Sequence, residues 1–125
     1  MKLIPDLIRK ILIYIEEKGT VDGYNRVPQI EGYSDDEVFY NAKRMEEAGF
    51  IVLEHSKPGW NSKYKSAKIA DITYQGHQFL DLSRNSKIWN KAKETFLEKG
   101  LSWTFELGTK VLSKLNLEQL GDLIN

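Results

Sequence analysis

GYSDDEVFYNAKRMEEAGFIVLEHS, residues 32–56, decides the fold because a strongly capped helix runs directly into a β-rich segment. Ser34 and Glu37 make a capping-box pattern, in which each side chain accepts a hydrogen bond from a backbone N–H that the helix leaves unpaired. Gly49 can take the left-handed conformation that ends a helix, and residues 50–53 favour a strand. The stretch therefore predicts a helix that begins after Ser34, ends before Gly49 and leads into a strand.

The predicted helix is amphipathic. At about 100° per residue, Val38, Ala42 and Met45 fall on one stripe, as is typical of a face that packs against a core. The opposite side is polar, and this second face is expected to meet solvent or a binding partner. It carries Asp36, Tyr40, Lys43, Arg44 and Glu47.

The chain before this helix predicts one long helix and a turn-rich connection. Apolar residues between Leu3 and Ile15 recur at helical spacing, and Gly19 is expected to end that element. Residues 19–26 are rich in turn formers. Residues 27–30 are expected to form a short edge strand, since Pro28 cannot donate a backbone hydrogen bond to a neighbouring strand.

The chain after the helix predicts a β-hairpin. Residues 50–54 and 69–73 have strand composition, and the polar segment between them contains Pro58 and Gly59 as turn formers. A helix that ends in EAGFI and enters a strand is typical of the third helix and first wing strand of a winged helix-turn-helix. Here the second of its three helices would be reduced to a turn and a strand.

Three further helices are expected towards the C-terminus. Thr73 can cap a short helix, and residues 87–99 show a helical stripe that Gly100 closes. Ser102 is expected to cap the last helix. Its buried side would contain Phe105, Val111, Leu112 and Leu115.

These elements predict an α+β fold that is mainly α. A winged-helix domain would occupy residues 1–83, and residues 84–125 would be a C-terminal helical extension within one compact unit. The extension carries more apolar surface than a small domain readily covers, so it is a candidate interface for a homodimer. Packing of the extension onto the first helix is the alternative.

Composition narrows the class of protein. Eighteen basic and eighteen acidic residues give a formal net charge of zero, so overall charge does not indicate nucleic-acid binding. The absence of cysteine excludes disulfides and thiolate metal sites, and it fits a reducing compartment. No apolar run has the length of a membrane span. We therefore expect a soluble, cytoplasmic protein that does not bind membranes.

No sequence pattern indicates catalysis. The chain has neither a glycine-rich phosphate loop nor a nucleophile elbow. His77 and Asp81 are four residues apart on one helical face, but a zinc site needs three or four ligands and His55 is the one other histidine. The sequence predicts a protein that is not an enzyme and that needs no cofactor and no metal ion.

Charge is unevenly distributed along the chain. Residues 31–54 contain seven acidic and two basic residues, whereas residues 55–68 contain four lysines and no carboxylate. Residues 84–93 form a second basic run with Arg84, Lys87, Lys91 and Lys93, interrupted by no acid. If the protein binds DNA, the central helix and the hairpin would supply the contacts. The candidate nucleic-acid-binding residues are Tyr40, Lys43, Arg44, Lys57, Trp60, Lys63, Tyr64, Lys65 and Lys68.

Three motifs carry a resemblance to a known family. They are GYSDDEVFYNAKRMEEAGFI at residues 32–51, ITYQGHQFLD at residues 72–81 and WNKAKE at residues 89–94. They resemble the motifs GYSxxEVxYHLKLLEEAGLI, LTWxGHxFLD and WNKxKE of bacterial and phage proteins that are classed as a domain of unknown function. Asn41 stands where that pattern has histidine, and Arg44 stands where it has an apolar residue. The resemblance implies a winged-helix fold and a phage or mobile-element context, without a biochemical activity.

Two functions from different classes remain open at this stage. The first is a DNA-binding transcriptional regulator, which the lysines of the hairpin favour. The second is a protein–protein interaction module, such as an adaptor, an inhibitor or an antitoxin-like partner, which the acidic central helix and the apolar C-terminal helices favour.

Overall fold

The computed structural model describes residues 1–18, 28–54 and 68–124, with the side chains of Lys68, Ala70 and Ile124 left aside. Within these ranges the chain forms five helices and one antiparallel pair of strands, so the expectation of a mainly helical α+β fold is confirmed. The elements are α1 (Pro5–Lys18), α2 (Asp35–Glu47), β1 (Ile51–Glu54), β2 (Lys68–Ile72), α3 (Tyr74–Ser83), α4 (Ser86–Glu98) and α5 (Phe105–Ile124).

The chain divides into two compact units, Met1–His77 and Gln78–Asn125. The first unit contains α1, α2 and the strand pair, and the second contains α4 and α5. The division falls inside α3, whose first residues belong to one unit and whose remaining residues belong to the other.

The ends of α2 are those that the sequence predicts. The Glu37 backbone N–H donates to Ser34 Oγ at 3.1 Å, and the Ser34 backbone N–H donates to Glu37 Oε1 at 3.0 Å. This reciprocal pair satisfies two N–H groups that the first helical turn leaves open. Gly49 has a φ of +81°, a conformation that glycine adopts without steric cost.

The strands β1 and β2 pair in antiparallel orientation. Ile51 lies opposite Ile72 and Leu53 opposite Ile69, with an irregularity in register between Val52 and Leu53. Along β1 the buried side chains of Ile51 and Leu53 alternate with the exposed side chains of Val52 and Glu54. The predicted hairpin tip lies outside the described residues.

The core of the first unit is built from the apolar faces of α1, α2 and the strands. α1 packs against α2 and β2, and α2 also packs against β1. The burial of these faces from water is the main stabilising contribution to such a unit. The buried apolar residues are Leu7, Ile8, Ile11, Leu12, Ile15, Val38, Phe39, Ala42, Met45, Phe50, Ile51, Leu53 and Ile69.

One buried polar residue fastens the N-terminus to α2. Asn41 is fully buried, and its Oδ1 accepts a hydrogen bond from the Ile4 backbone N–H at 2.8 Å. Its Nδ2 donates to the carbonyls of Lys2 at 3.3 Å and Glu37 at 2.9 Å. Both the donor and the acceptor group of the amide are therefore hydrogen-bonded, as is required of a polar side chain that is removed from water.

The segment before α2 differs from its prediction. Pro28, Gln29 and Ile30 form no strand, so the predicted edge strand is wrong over these residues, while Val27 lies outside the described ranges. The Tyr33 backbone N–H instead donates to the Ile30 carbonyl at 3.2 Å, which closes a turn into α2. The predicted turn at residues 19–26 also lies outside the described residues.

Thr73 caps α3 as predicted. The Gly76 backbone N–H donates to Thr73 Oγ1 at 3.1 Å, and the same hydroxyl donates to the Gly49 carbonyl. Gly76 lies so close to the residue before β1 that a Cβ there would be 2.2 Å from the Phe50 carbonyl oxygen. This approach is open only to a residue without a side chain.

An aromatic cluster fills the core of the second unit. The Trp103 ring lies 5.0 Å from the Phe96 ring and 5.6 Å from the Trp89 ring, and Trp89 meets Phe79 edge-on at 6.3 Å. These separations are those of favourable aromatic pairs. A Cβ at Gly108 would lie 2.4 Å from the Trp103 ring, so this glycine makes room for the cluster.

The start of α5 corrects a second expectation. The predicted cap at Ser102 is wrong, because the Leu107 backbone N–H donates to Thr104 Oγ1 at 3.1 Å. Of the four residues expected on the buried side of α5, Leu112 is fully buried, while Phe105, Val111 and Leu115 are half-buried.

Candidate interaction surfaces

The outer face of α2 brings three of the predicted nucleic-acid-binding residues together. Arg44 Nη1 lies 2.7 Å from both carboxylate oxygens of Glu47, and its guanidinium stands 5.0 Å from the centre of the Tyr40 ring. A guanidinium that is held by a carboxylate and a ring face has part of its charge neutralised, so it attracts a phosphate less strongly than an unpaired arginine does. Arg44 is thus held in place by its own helix.

Lys43 is held in a similar way. Its Nζ lies 2.9 Å from Glu46 Oε1, and the other carboxylate oxygen of Glu46 accepts a hydrogen bond from the Leu53 backbone N–H at 3.1 Å. Glu46 therefore links α2 to β1 and neutralises Lys43 at the same time. Both cations of α2 have a carboxylate partner three residues further along the helix.

The N-terminal end of α2 presents negative charge. Asp35 and Asp36 are exposed, and neither forms an ion pair with any residue that the structure describes. Their charge is stabilised by the helix dipole. It would repel phosphate groups at the helix end that enters the major groove in most helix-turn-helix proteins.

The other predicted nucleic-acid-binding residues belong to the predicted hairpin. Lys57, Trp60, Lys63, Tyr64 and Lys65 lie outside the described residues. Lys68 begins β2, and only its backbone is described. The proposed contribution of the hairpin therefore stays a prediction.

The second basic run extends from the residue after α3 to the middle of α4. Arg84 Nε lies 2.8 Å from Asp81, so Asp81 pairs with this arginine rather than with His77, whose side chain is exposed. Lys93 Nζ stands 6.0 Å from the centre of the Trp89 ring. Lys87 and Lys91 are exposed on α4.

Exposed leucines concentrate in the second unit. Leu117, Leu120 and Leu123 follow one another at intervals of three along the last turns of α5. With neighbouring residues they line an open cleft of about 580 Å³, here called the distal groove, which contains no charged side chain. Its residues are Leu82, Asn85, Ile88, Ser113, Asn116, Leu117, Gln119, Leu120 and Leu123.

A second cleft of about 350 Å³ lies between α4 and α5 and is here called the lysine-rimmed groove. Sequence reasoning assigned Lys91 to a basic run and missed this groove. The signal was present as a spacing of four, at Lys91 and Thr95 on α4 and at Lys99, its C-cap residue. Its residues are Lys91, Thr95, Phe96, Lys99, Leu101, Leu107, Val111, Lys114, Leu115 and Glu118.

Two kinds of site are not found in the described ranges. No three histidine or acidic side chains there come close enough together to hold a metal ion. No helix among the described elements is both long enough and apolar enough to cross a membrane.

Comparison with known proteins identifies the family. The model of the family described as "Hypothetical protein (DUF2513)" matches residues 2–102. A protein of Haemophilus influenzae described as "Uncharacterized protein" is 32% identical over 122 residues, which is 97% of this chain and 100% of that protein. No solved structure matches the chain. The chain belongs to the DUF2513 family, and the resemblance to a family of unknown function is confirmed at that level.

Proposed function

We propose that this protein is a non-enzymatic interaction module that binds another protein chain through the apolar surface of its second unit. The observation that carries the proposal is the row of leucines on α5. Leu117 is 67% exposed, Leu120 51% and Leu123 78%, and all three line one groove. Single exposed leucines are ordinary, but a contiguous apolar patch is typical of an interaction site.

The chemistry of the distal groove supports a protein partner. Its polar residues are neutral amides and a serine, and the Asn116 amide is already committed to the carbonyls of Leu82 and Leu112 at 3.0 and 2.7 Å. Binding at such a surface is stabilised mainly by the removal of leucine side chains from water, which contributes about 25 cal/mol per Å² of apolar surface buried. A second copy of this chain is one such partner, in keeping with the expected homodimer.

Matched leucine variants test this function. The double variant Leu117→Gln/Leu123→Gln changes the distal groove, and Tyr74→Gln/Leu97→Gln changes two residues of equal exposure, 77% and 81%, outside both grooves. Full-length proteins are compared by light scattering over a concentration series and by selection from a displayed random-peptide library. Self-association or peptide enrichment should be lost in the first variant and kept in the control. Wild-type protein that is monomeric and enriches no peptide would contradict the proposal.

A second candidate is nucleic-acid binding by a winged helix. It is supported by the order α1, α2, β1 and β2 with antiparallel strands, and by the carboxylate-free run with four lysines at residues 55–68. The paired cations and exposed acids of α2 favour protein binding over this function. A role as a regulator of phage or mobile-element origin would follow from the resemblance alone.

Duplex DNA and a salt titration test the second candidate. Fluorescence anisotropy at low salt should show binding that weakens steeply with salt if several lysines contact phosphates. Lys63→Glu/Lys65→Glu/Lys68→Glu should abolish it, and Lys2→Glu/Lys18→Glu/Lys110→Glu, with the same change in charge, should weaken it far less. Equal loss in both variants would indicate a response to net charge alone.

A further inference from the structure

The lysine-rimmed groove combines an apolar floor with a cationic border. Its floor is formed by Phe96 of α4, Leu101 of the connecting segment, and Leu107, Val111 and Leu115 of α5. Leu101 is 48% exposed and Leu107 39%, so the floor is open to solvent. The hydroxyl of Thr95 donates to the Lys91 carbonyl at 2.8 Å, which satisfies the one hydroxyl of the lining within its own helix.

The border carries three lysines and one acid. Lys91 and Lys99 lie on the α4 side, and Lys114 and Glu118 lie on the α5 side. All four are exposed, and among the described residues none of the three ammonium groups pairs with a carboxylate. This differs from α2, where both cations are paired. The lysines around the groove are therefore available to a partner without a cost for breaking existing ion pairs.

The shape of the groove fits a short helix. On α5 its lining residues extend from Leu107 to Glu118, which is about 16 Å at a rise of about 1.5 Å per residue. The lining repeats every four residues on both helices, so it offers ridges of the kind that receive a third helix. At one end of the groove the Leu101 backbone N–H donates to the Phe96 carbonyl at 3.0 Å. This hydrogen bond holds the start of the segment between α4 and α5 against the last turn of α4.

We propose that the lysine-rimmed groove binds an acidic amphipathic helix of about three turns from a different protein. The inference rests on the proposed function and names the class of partner. Leucine or phenylalanine side chains of the partner lie on the floor, and its aspartate and glutamate side chains pair with Lys91, Lys99 and Lys114. Charge complementarity of this kind selects the partner and its orientation.

The acidic segment of this chain is not the occupant. The apolar stripe of α2, formed by Val38, Ala42 and Met45, is completely buried in its own unit. A second copy therefore has no apolar face on α2 to place on the groove. Nucleic acid also fits poorly, because five apolar side chains would remain without a partner beneath the phosphates.

Two designed peptides test the proposal. They share leucines at helical spacing and differ in that the remaining positions are mainly glutamate in one and mainly lysine in the other. With fluorescent labels, their binding to the full-length protein is measured by anisotropy. The glutamate peptide should bind at least about tenfold more tightly than the lysine peptide, and the difference should shrink at high salt.

Charge variants locate the binding. Lys91→Glu/Lys114→Glu should reduce affinity for the glutamate peptide at least about tenfold and raise affinity for the lysine peptide. Lys87→Glu/Lys110→Glu is the control, since both residues are exposed on the same two helices but lie outside the groove. Leu101→Gln should weaken both peptides, whereas Leu97→Gln should weaken neither. Circular dichroism and thermal unfolding show that each variant is folded.

Each other outcome overturns the inference in a distinguishable way. If both peptides bind equally and Leu101→Gln weakens both, the groove binds protein without charge selection, and the proposed function stands while the acidic partner does not. If neither peptide binds but vesicles containing anionic lipid do, the groove recognises a lipid surface. If neither peptide nor vesicle binds the lysine-rimmed groove, while Leu117→Gln/Leu123→Gln still abolishes association at the distal groove, this inference fails and the proposed function stands.

Discussion

The outer face of α2 differs from the outer face of the second unit in whether its cations are paired and whether its apolar side chains are buried. On α2 the cations Lys43 and Arg44 are both paired, and the apolar stripe is buried. On α4 and α5 the lysines around the groove have no carboxylate partner among the described residues, and leucines remain exposed. On the first face the cations are paired within the chain, whereas on the second face cations and leucines are exposed to solvent and are open to a partner. This difference is the ground on which we propose that the second unit is the one that binds a partner.

If the first unit is tightly packed, its closest backbone contact, that of Gly76 with Phe50, should tolerate no added atom. We expect Gly76→Ala to lower the free energy of unfolding by about 3 kcal/mol, because the new Cβ would meet the backbone carbonyl of Phe50 and the Ile72 side chain. Urea unfolding followed by circular dichroism measures the change. Gly121→Ala is the control, since open space surrounds that position and alanine favours the helix. Equal stability of Gly76→Ala and wild type would show that the β1–α3 contact yields easily.

Asn41 sharpens the same comparison. Replacing it with alanine should cost about 2–3 kcal/mol, because the Ile4 N–H and two carbonyls lose their partner in a buried place. Asn90→Ala, at an exposed position on α4, should change the free energy of unfolding by less than about 0.5 kcal/mol. Chemical denaturation of the two variants checks both values. Similar losses would mean that the N-terminal segment contributes little to the first unit.

Gly108 tests the interior of the second unit. Gly108→Ala should destabilise by about 1–2 kcal/mol, since the clash is with the edge of the Trp103 ring and not with backbone. A ring can rotate away at a moderate cost, so we expect a smaller loss than for Gly76→Ala. Tryptophan fluorescence during unfolding reports on the cluster directly. A larger loss than at Gly76 would show that the second unit is the more tightly packed of the two.

The helix caps at Ser34 and Thr104 can be compared directly, because the first was predicted from the sequence and the second replaces the predicted cap at Ser102. Ser34→Ala should cost about 1 kcal/mol through loss of the capping box. Thr104→Ala should cost about 0.5–1 kcal/mol, while Ser102→Ala should have almost no effect because Thr104 holds the capping position. Thermal unfolding of the three variants makes the measurement. A larger loss at Ser102 than at Thr104 would contradict the observed start of α5.

The smallest effect on stability should come with the largest effect on binding. Leu120→Gln should change the free energy of unfolding by less than about 0.5 kcal/mol, because the side chain is 51% exposed, yet it should weaken any association at the distal groove. Arg44→Ala and Glu47→Ala should also lower stability only slightly, but they should leave association unchanged. Combined unfolding and light-scattering measurements compare them. Equal association in Leu120→Gln and wild type would remove the distal groove from consideration.

Much of the fold could be predicted because its signals are local. The caps at Ser34 and Thr73 and the left-handed glycines at positions 49 and 100 depend on neighbours within a few residues. The amphipathic stripes of α1, α2 and α4 likewise follow from spacing alone. The predicted edge strand failed for a related reason, since a strand needs a partner that the segment itself does not contain.

The sequence by itself therefore determined where most of the helices and strands lie, how most of them end and which family the chain resembles. Only the tertiary structure decided the rest. Asn41 gained its role from the Lys2 carbonyl and the Ile4 N–H, both almost forty residues away. The cap of α5 lies at Thr104 and not at Ser102. The lysine-rimmed groove exists because α4 and α5 pack side by side, which places residues of two helices around one cleft. Long-range packing decides which side chains remain exposed and unpaired, and those side chains are the ones available for binding.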